Sequence, residues 1–285
     1  MAVDELAERR IGIGRVVEIV EASQTDENFP FPKVVLMSQP SEVNGEEVEL
    51  SIVIPIYNEQ TILEEAVEEL VASFRDDPRL RERSYELILS ENGSTDATVE
   101  IAQRLAERYE PVRLLRTGRP DYGLALRRGI RSARGEIVLC DEIDLCDTDF
   151  HARALQRIEE EGFDLVIGSK ALDGSRDQRP MYRRAATRVL NGLFRVLLGF
   201  HGTDTHGLKA FRRARLLEVV DACVVNRDLF ASEFVIRSEH MDIRMIEIPV
   251  RIAEKRQPSV HLFRRVPHVL KNLGRLVWVI RIANR

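Results

Sequence analysis

The chain has 285 residues, 44% of them apolar, and its 42 Lys/Arg against 47 Asp/Glu leave a net charge of −5. That is enough for one large core with appendages, and no apolar run approaches the roughly 18 residues of a membrane span. The acidic N-terminus is unlike a signal peptide, and Cys140, Cys146 and Cys223 show neither paired metal spacing nor a disulfide framework, so a cytoplasmic, reduced protein with no nucleic-acid partner is expected.

Charge is unevenly placed. Residues 1–70 hold sixteen acids and four basic residues, whereas 255–285 hold eight basic residues and no acid. A basic end in an acidic protein suits an anionic partner, a phosphate or an anionic lipid surface, and suits an ordinary solvated helix face equally well.

Residues 1–48 read as an extension with two apolar segments, Val16–Val20 and Val34–Met37, on either side of a Pro-containing turn. Gly12 and Gly14 match part of a dinucleotide fingerprint but lack its third glycine and its strand and helix, which removes that reading. Regular alternation begins at residue 49. Leu50–Pro55 reads as a strand, 61–74 as a helix with apolar residues at helical spacing, Tyr85–Leu89 as a strand, 96–109 as a helix and Val112–Leu115 as a strand. Leu124–Ala133 follows as a helix stopped by Gly135, then Glu136–Cys140 as a strand, Phe150–Glu160 as a helix and Phe163–Ile167 as a strand. Strands alternating with helices imply right-handed crossovers and a mainly parallel sheet. Beyond 168 come a polar loop to Pro180, a basic-apolar helix over 181–198, a short segment at Gly207–Phe211, helices over 215–220 and 230–240, and a strand-like 244–250. The tail from 264 to 282 carries an apolar face of Val269, Leu270, Leu273, Leu276, Val277 and Ile280.

The chemistry concentrates after three of these strands. Asp141, Glu142 and Asp144 put three carboxylates within four residues at one strand end. Mg²⁺-like cations take oxygen ligands and usually bind through one or two carboxylates plus a substrate's phosphates, so the cluster predicts a phosphorylated ligand. Tyr57-Asn58-Glu59 and Glu91-Asn92-Gly93-Ser94 close two other strands, and parallel strands point their carboxyl ends one way, so the three turns converge. There Glu59, Glu91 and Asn92 can accept hydrogen bonds from a base or ribose. Asp147-Thr148-Asp149 repeats the acidic spacing but precedes a helix, where a cap is expected.

In this order and spacing, Val53-Ile54-Pro55-Ile56-Tyr57-Asn58-Glu59, Glu91–Thr98, Gly129–Gly135 and the acidic turn resemble the inverting family-two glycosyltransferases of the GT-A fold, over about residues 49–262. Val166–Lys170, Arg183 with Thr187 and Asn191, Asp204 through Arg212, and Glu247–Val250 ahead of Arg256 and Ser259 resemble the polyprenol-phosphate mannosyltransferase branch. The resemblance implies a Rossmann-like α/β domain over 49–250, between the 1–48 extension and an amphipathic basic tail over 251–285. It implies an enzyme that moves a hexose from a nucleotide sugar, GDP-mannose ahead of UDP-glucose, to a polyprenol phosphate with Mg²⁺ or Mn²⁺ bound. Pro55, Tyr57, Glu59, Glu91 and Glu142 then bind the nucleotide, and Glu142 and Asp144 the metal. Lys170, Arg183 and Thr187 clamp the acceptor phosphate; Asp144, Arg256 and Asp204 are the catalytic candidates. The family usually carries Asp at the positions of Glu91, Asn92 and Glu142 and often Gln at that of Cys146, a thiol ill suited to Mg²⁺.

A phosphate acceptor is already ionised and needs no general base; a sugar or glycerate hydroxyl does, with Asp204, Glu233 and His206 as the visible candidates. A small phosphorylated acceptor and a non-catalytic nucleotide binder are the alternatives. The basic tail can lie at a membrane interface with Trp278 at headgroup level, giving peripheral contact, or pack on the domain.

Overall fold

The computed structural model describes residues 16–18, 48–172, 176–177, 181–225, 229–252 and 271–283. Strands β2 (Leu50–Ile56), β3 (Tyr85–Glu91), β4 (Val112–Arg116), β5 (Ile137–Cys140) and β6 (Leu165–Ser169) alternate with helices α1 (Leu63–Asp76), α2 (Thr98–Arg108), α3 (Tyr122–Ser132) and α4 (Thr148–Glu159). The alternation expected from the sequence is therefore present through residue 169. After it come α5 (Met181–Leu198), β8 (Lys209–Arg212), α6 (Arg213–Ala222), α7 (Phe230–His240) and β9 (Met245–Pro249).

Eight strands form one sheet in the order β1–β4–β3–β2–β5–β8–β6–β9, in which β8 alone is antiparallel to its neighbours. Two features depart from the sequence reading. The extension is not wholly separate, because β1 (Val16–Glu18) pairs in parallel with β4 at the sheet edge. The segment expected at Gly207–Phe211 is a central strand, and an antiparallel insertion leaves no periodic signature of its own. Val34–Met37 lies outside the described residues. A separate two-stranded ribbon joins β7 (Arg176–Asp177) to β10 (Arg251–Ile252).

Each face of the sheet buries its own apolar layer. Ile52, Ile54 and Ile56 face α1, α2 and α4, whose Leu63, Leu70, Phe74, Ile101, Leu105, Leu155 and Ile158 complete one cluster. Val53, Ile88, Val138 and Ile167 pack on the other side against Leu126, Phe194, Phe211, Val219, Phe230 and Phe234. Strands covered on both faces are continuously apolar, and each such side chain contributes about 1.5–3 kcal/mol of transfer free energy. Helix 271–278 and the π-helical turn Val279–Ala283 belong to the second layer, with Leu273, Leu276 and Val279 buried and Trp278 56% exposed. The apolar face of the tail thus packs on the domain, and the remainder of the tail's expected span, 264–270, lies outside the described residues.

The register opens a crevice. β2 and β5 pair only as far as Val53 opposite Cys140, while β2 and β3 remain paired to Ile56 opposite Glu91. The Val53 carbonyl accepts from Asp141 N–H and the Ile56 carbonyl from Asn92 N–H, so Pro55 presents its missing donor on the β5 side, past the last β2–β5 pair. The strands part there, at the carboxyl edge where α/β sheets bind ligands.

Candidate active site

Two laced turns build the first wall of the crevice. Asn58, with φ of 55°, donates its N–H to Ser94 Oγ at 3.1 Å and accepts from Thr95 N–H at 2.8 Å, and Glu59 N–H donates to Thr98 Oγ1 at 2.8 Å. Asn92 Oδ1 accepts from Asp121 N–H at 3.0 Å, and Asp121 caps α3 by accepting from Leu124 N–H at 2.9 Å. Among the residues expected to hold the nucleoside, Tyr57 is the open surface, 40% exposed. Pro55 and Glu59 are buried, and Glu91 is 1% exposed, its carboxylate taken up by Ser94 N–H and lying 3.9 Å from Arg116. Glu91 therefore organises the turn that carries the wall.

The acidic turn follows β5. Asp141 N–H donates to the Val53 carbonyl, the Glu142 carbonyl accepts from Leu145 and Cys146 N–H, and Cys146 sits in the left-handed region at φ 45°. Its thiol faces the Glu142 and Ile143 carbonyls at 3.8 and 3.6 Å, so it braces the turn. Asp147 caps α4 by accepting from Phe150 N–H at 2.9 Å, which gives the repeated acidic spacing the cap role expected for it. Asp141 is 2% exposed and contacts His151, whereas Glu142 and Asp144 stay partly open. No group of three metal-ligating side chains exists among the described residues. Two open carboxylates are, however, the donor set a hard cation uses when substrate phosphates supply the remaining oxygens, so these residues fit Mg²⁺ or Mn²⁺.

Two groups that sequence reasoning missed, one buried and one exposed, flank this turn. Lys209 opens β8 opposite Cys140, is 3% exposed and donates from Nζ to the Gly207 carbonyl at 2.7 Å. Burial lowers its pKa, against the pull of Cys140, Asp204 and Glu142. Burial also pushes the Cys140 thiol up to about 12, keeping it protonated and inert. Tyr122 begins α3 with its side chain 39% exposed, yet enclosure by surrounding protein, followed by Glu142, Cys140, Asp141 and Asp144, raises its phenol well above the usual value. The lysine was legible only as part of a family-like segment, and the tyrosine gave no periodic signal.

The opposite wall joins β6, β8, β9 and α5. Asp204 accepts from Lys170 N–H at 3.2 Å and His206 N–H at 2.8 Å; Ser169 and Thr203 hydroxyls meet at 2.7 Å. Glu247 accepts from Thr203 N–H at 2.7 Å and Asp204 N–H at 3.2 Å, and Asn191 donates to the Thr203 carbonyl. Asp204, 2% exposed with a main-chain N–H on each oxygen, ties this wall together, a poor arrangement for the general base considered from sequence. Glu233 is excluded from that role: it is fully buried and bound by Arg237 Nε at 2.8 Å and by Val224 and Val225 N–H at 2.9 and 2.6 Å. His206 is exposed on the 203–206 loop. Lys170 stands at the rim; the side chains of Arg183 and Thr187, and all of Arg256, lie outside the described residues.

A mainly parallel sheet with convergent polar turns at its carboxyl edge is the arrangement in which α/β proteins bind their ligands. The chain matches the model of glycosyl transferase family 2 over residues 51–220 and belongs to that family of enzymes. It is 29% identical to the glycosyltransferase AglD of Haloferax volcanii over 87% of this chain and 40% of that protein. It is 29% identical to a dolichyl-phosphate beta-glucosyltransferase of Drosophila melanogaster over 82% of this chain and 76% of the other. An undecaprenyl-phosphate 4-deoxy-4-formamido-L-arabinose transferase of Edwardsiella ictaluri is 30% identical over 72% of this chain and 60% of its own. The chain thus spans less than two thirds of two of these relatives, 40% of one and 60% of the other. The glucosyl-3-phosphoglycerate synthase of Mycobacterium tuberculosis, solved with Mn²⁺, UDP-glucose and phosphoglyceric acid, superposes with a TM-score of 0.56 at 20% identity, over 81% of this chain and 80% of that one. That likeness establishes the GT-A fold.

Proposed function

We propose that this chain transfers a hexose from a nucleoside-diphosphate sugar to a polyprenol phosphate. Tyr57 and the Glu91-organised turn receive the nucleoside, and Glu142 and Asp144 would hold a divalent cation whose charge offsets that of the departing diphosphate. The acceptor phosphate is ionised at neutral pH and needs no base, in keeping with an Asp204 already committed to main-chain N–H groups. Lys170, Arg183 and Thr187 would meet that phosphate, with Arg256 as a further cation. Two relatives named dolichyl-phosphate beta-glucosyltransferases favour glucose over the mannose expected from the sequence.

The observation that carries the lipid acceptor is a surface. α5 holds four arginines and no acid, and 271–283 holds Lys271, Arg275 and Arg281 and no acid. Between them Val189, Val196, Leu197 and Trp278 are 65, 79, 38 and 56% exposed. Arg281 Nε donates to the Leu197 carbonyl at 3.1 Å, joining the two helices, and Asn191 of α5 holds the site loop. Exposed apolar groups on two cation-rich, acid-free helices of an acidic protein fit an anionic lipid surface. No described helix is long and apolar enough to cross a membrane, so contact through this surface would be peripheral.

The test is transfer from radiolabelled UDP-glucose and GDP-mannose, with Mn²⁺ or Mg²⁺, to polyprenol phosphate and to 3-phosphoglycerate in parallel. Lipid-linked product supports the reading; product on the soluble acceptor alone replaces it, and neither product under any donor sinks it. Sedimentation with anionic vesicles supplies a separate check: the chain pellets at low salt, and Val196→Glu with Trp278→Glu releases it, since each buried cation–lipid contact contributes about 1 kcal/mol and apolar insertion the rest.

A further inference from the structure

We propose that His151 is a positioning residue for the metal-binding turn, acting through Asp141. The proposal rests on the assignment of Glu142 and Asp144 as cation ligands, and it explains why the third acid of the cluster is there. His151 Nε2 lies 2.7 Å from Asp141 Oδ2 and both side chains are 0% exposed, although neither atom has the alignment of a hydrogen bond. The other oxygen, Asp141 Oδ1, accepts the N–H of Glu142 at 2.7 Å. One carboxylate therefore links the second turn of α4 to the backbone of the first ligand. Asp141 N–H is fixed in turn to the Val53 carbonyl, where β2 and β5 part. Phe74 and Phe150 enclose the imidazole, with ring centroids 6.0 and 6.2 Å away.

A carboxylate removed from water is costly unless paired, and a pair of similar volume made of apolar side chains would be at least as stable. Stability alone therefore gives no reason to keep an acid at 141. Its geometry gives one: an aliphatic side chain there could not accept the Glu142 N–H. His151 reaches no surface and cannot touch substrate, so its effect is confined to where Asp141 holds the turn. Such outer partners of metal ligands typically change affinity by about 10–100-fold when removed.

Cys146 reports on the turn without any metal. It is the partly exposed thiol among three cysteines, the other two being buried, and its main chain closes the same turn. In the full chain, Asp141→Leu combined with His151→Phe should leave the melting temperature near that of the parent, because no buried charge is stranded. The same double variant should label at Cys146 with a disulfide reagent at least about tenfold faster and raise the Mn²⁺ concentration that half-saturates thermal stabilisation by UDP about tenfold. His151→Gln, which keeps a donor, should fall between. Unchanged Cys146 labelling in the folded double variant overturns the proposal. If the double variant does not fold, His151→Gln decides by the same labelling rate, an unchanged rate again overturning it. A parent protein that shows no Mn²⁺ effect removes the ligand assignment instead, and labelling still decides whether His151 sets the turn.

Discussion

Glu142→Ala and Asp144→Ala should each lower kcat/KM for sugar transfer by about 10³-fold, the scale on which removal of one transition-state charge stabiliser is felt. The physical reason is the sparseness of the donor set. Among the described residues no third ligating side chain joins these two carboxylates, so the loss of either leaves a single protein ligand and the phosphates of the substrate. The turn itself should survive, because its closure uses main-chain atoms: Leu145 and Cys146 N–H to the Glu142 carbonyl. Both carboxylates are partly exposed. Melting temperature without ligand should stay within a degree or two, while the extra stabilisation conferred by UDP with Mn²⁺ over UDP alone disappears. Glu142→Asp should retain most activity at higher Mn²⁺, since the ligand chemistry is kept and one methylene of reach is lost. Persistence of the Mn²⁺ increment in both alanine variants would place the cation elsewhere.

The half of the site on β2, β3 and β5 was legible because its logic is local. A buried strand ending in Pro-Ile-Tyr-Asn-Glu, and another ending in Glu-Asn-Gly-Ser, announce parallel strands whose carboxyl ends coincide, and both turns meet as expected through Asn58, Ser94 and Thr95. Roles inside those turns were less legible. Glu91 and Asp204 read as ligand-facing acids, yet both spend their oxygens on main-chain N–H groups, and sequence does not say which way a carboxylate faces. The β8 insertion was hidden for a different reason. Its four residues are too few for periodicity, and its place between β5 and β6 depends on pairing partners 42 to 75 positions away in the chain, a separation that local pattern cannot carry. Lys209 and His151 share that blindness: a lysine in a short strand and a histidine on a helix gain their meaning only when Cys140 and Asp141 are brought beside them.

Gly207→Ala should abolish transfer while leaving nucleotide binding nearly intact, which separates the two walls of the crevice. A Cβ at 207 would stand 1.7 Å from the Gly168 carbonyl oxygen and 2.8 Å from its carbon. Backbone cannot yield there cheaply, because Gly168 N–H is bonded to the Leu208 carbonyl at 2.8 Å and β6 continues in register with β9. The 203–208 segment has to move instead, and with it the Asp204 clamp on Lys170 and the Gly207 carbonyl that receives Lys209. A buried lysine amine that loses its acceptor is left unsatisfied, so a destabilisation of about 2–4 kcal/mol is expected from overpacking and that lost bond together. The first wall takes no part in this. Tyr57, Glu91 and Asn92 hang on β2, β3 and α3, which pack among themselves on the far side of β5. UDP with Mn²⁺ should therefore still raise the melting temperature of Gly207→Ala, with affinity within about threefold of the parent, while transfer to polyprenol phosphate falls by more than about 10²-fold, the scale of a small misplacement of reacting groups. Equal losses of nucleotide binding and transfer would mean that the two walls act as one unit and that the β6–β8 side has no acceptor role of its own.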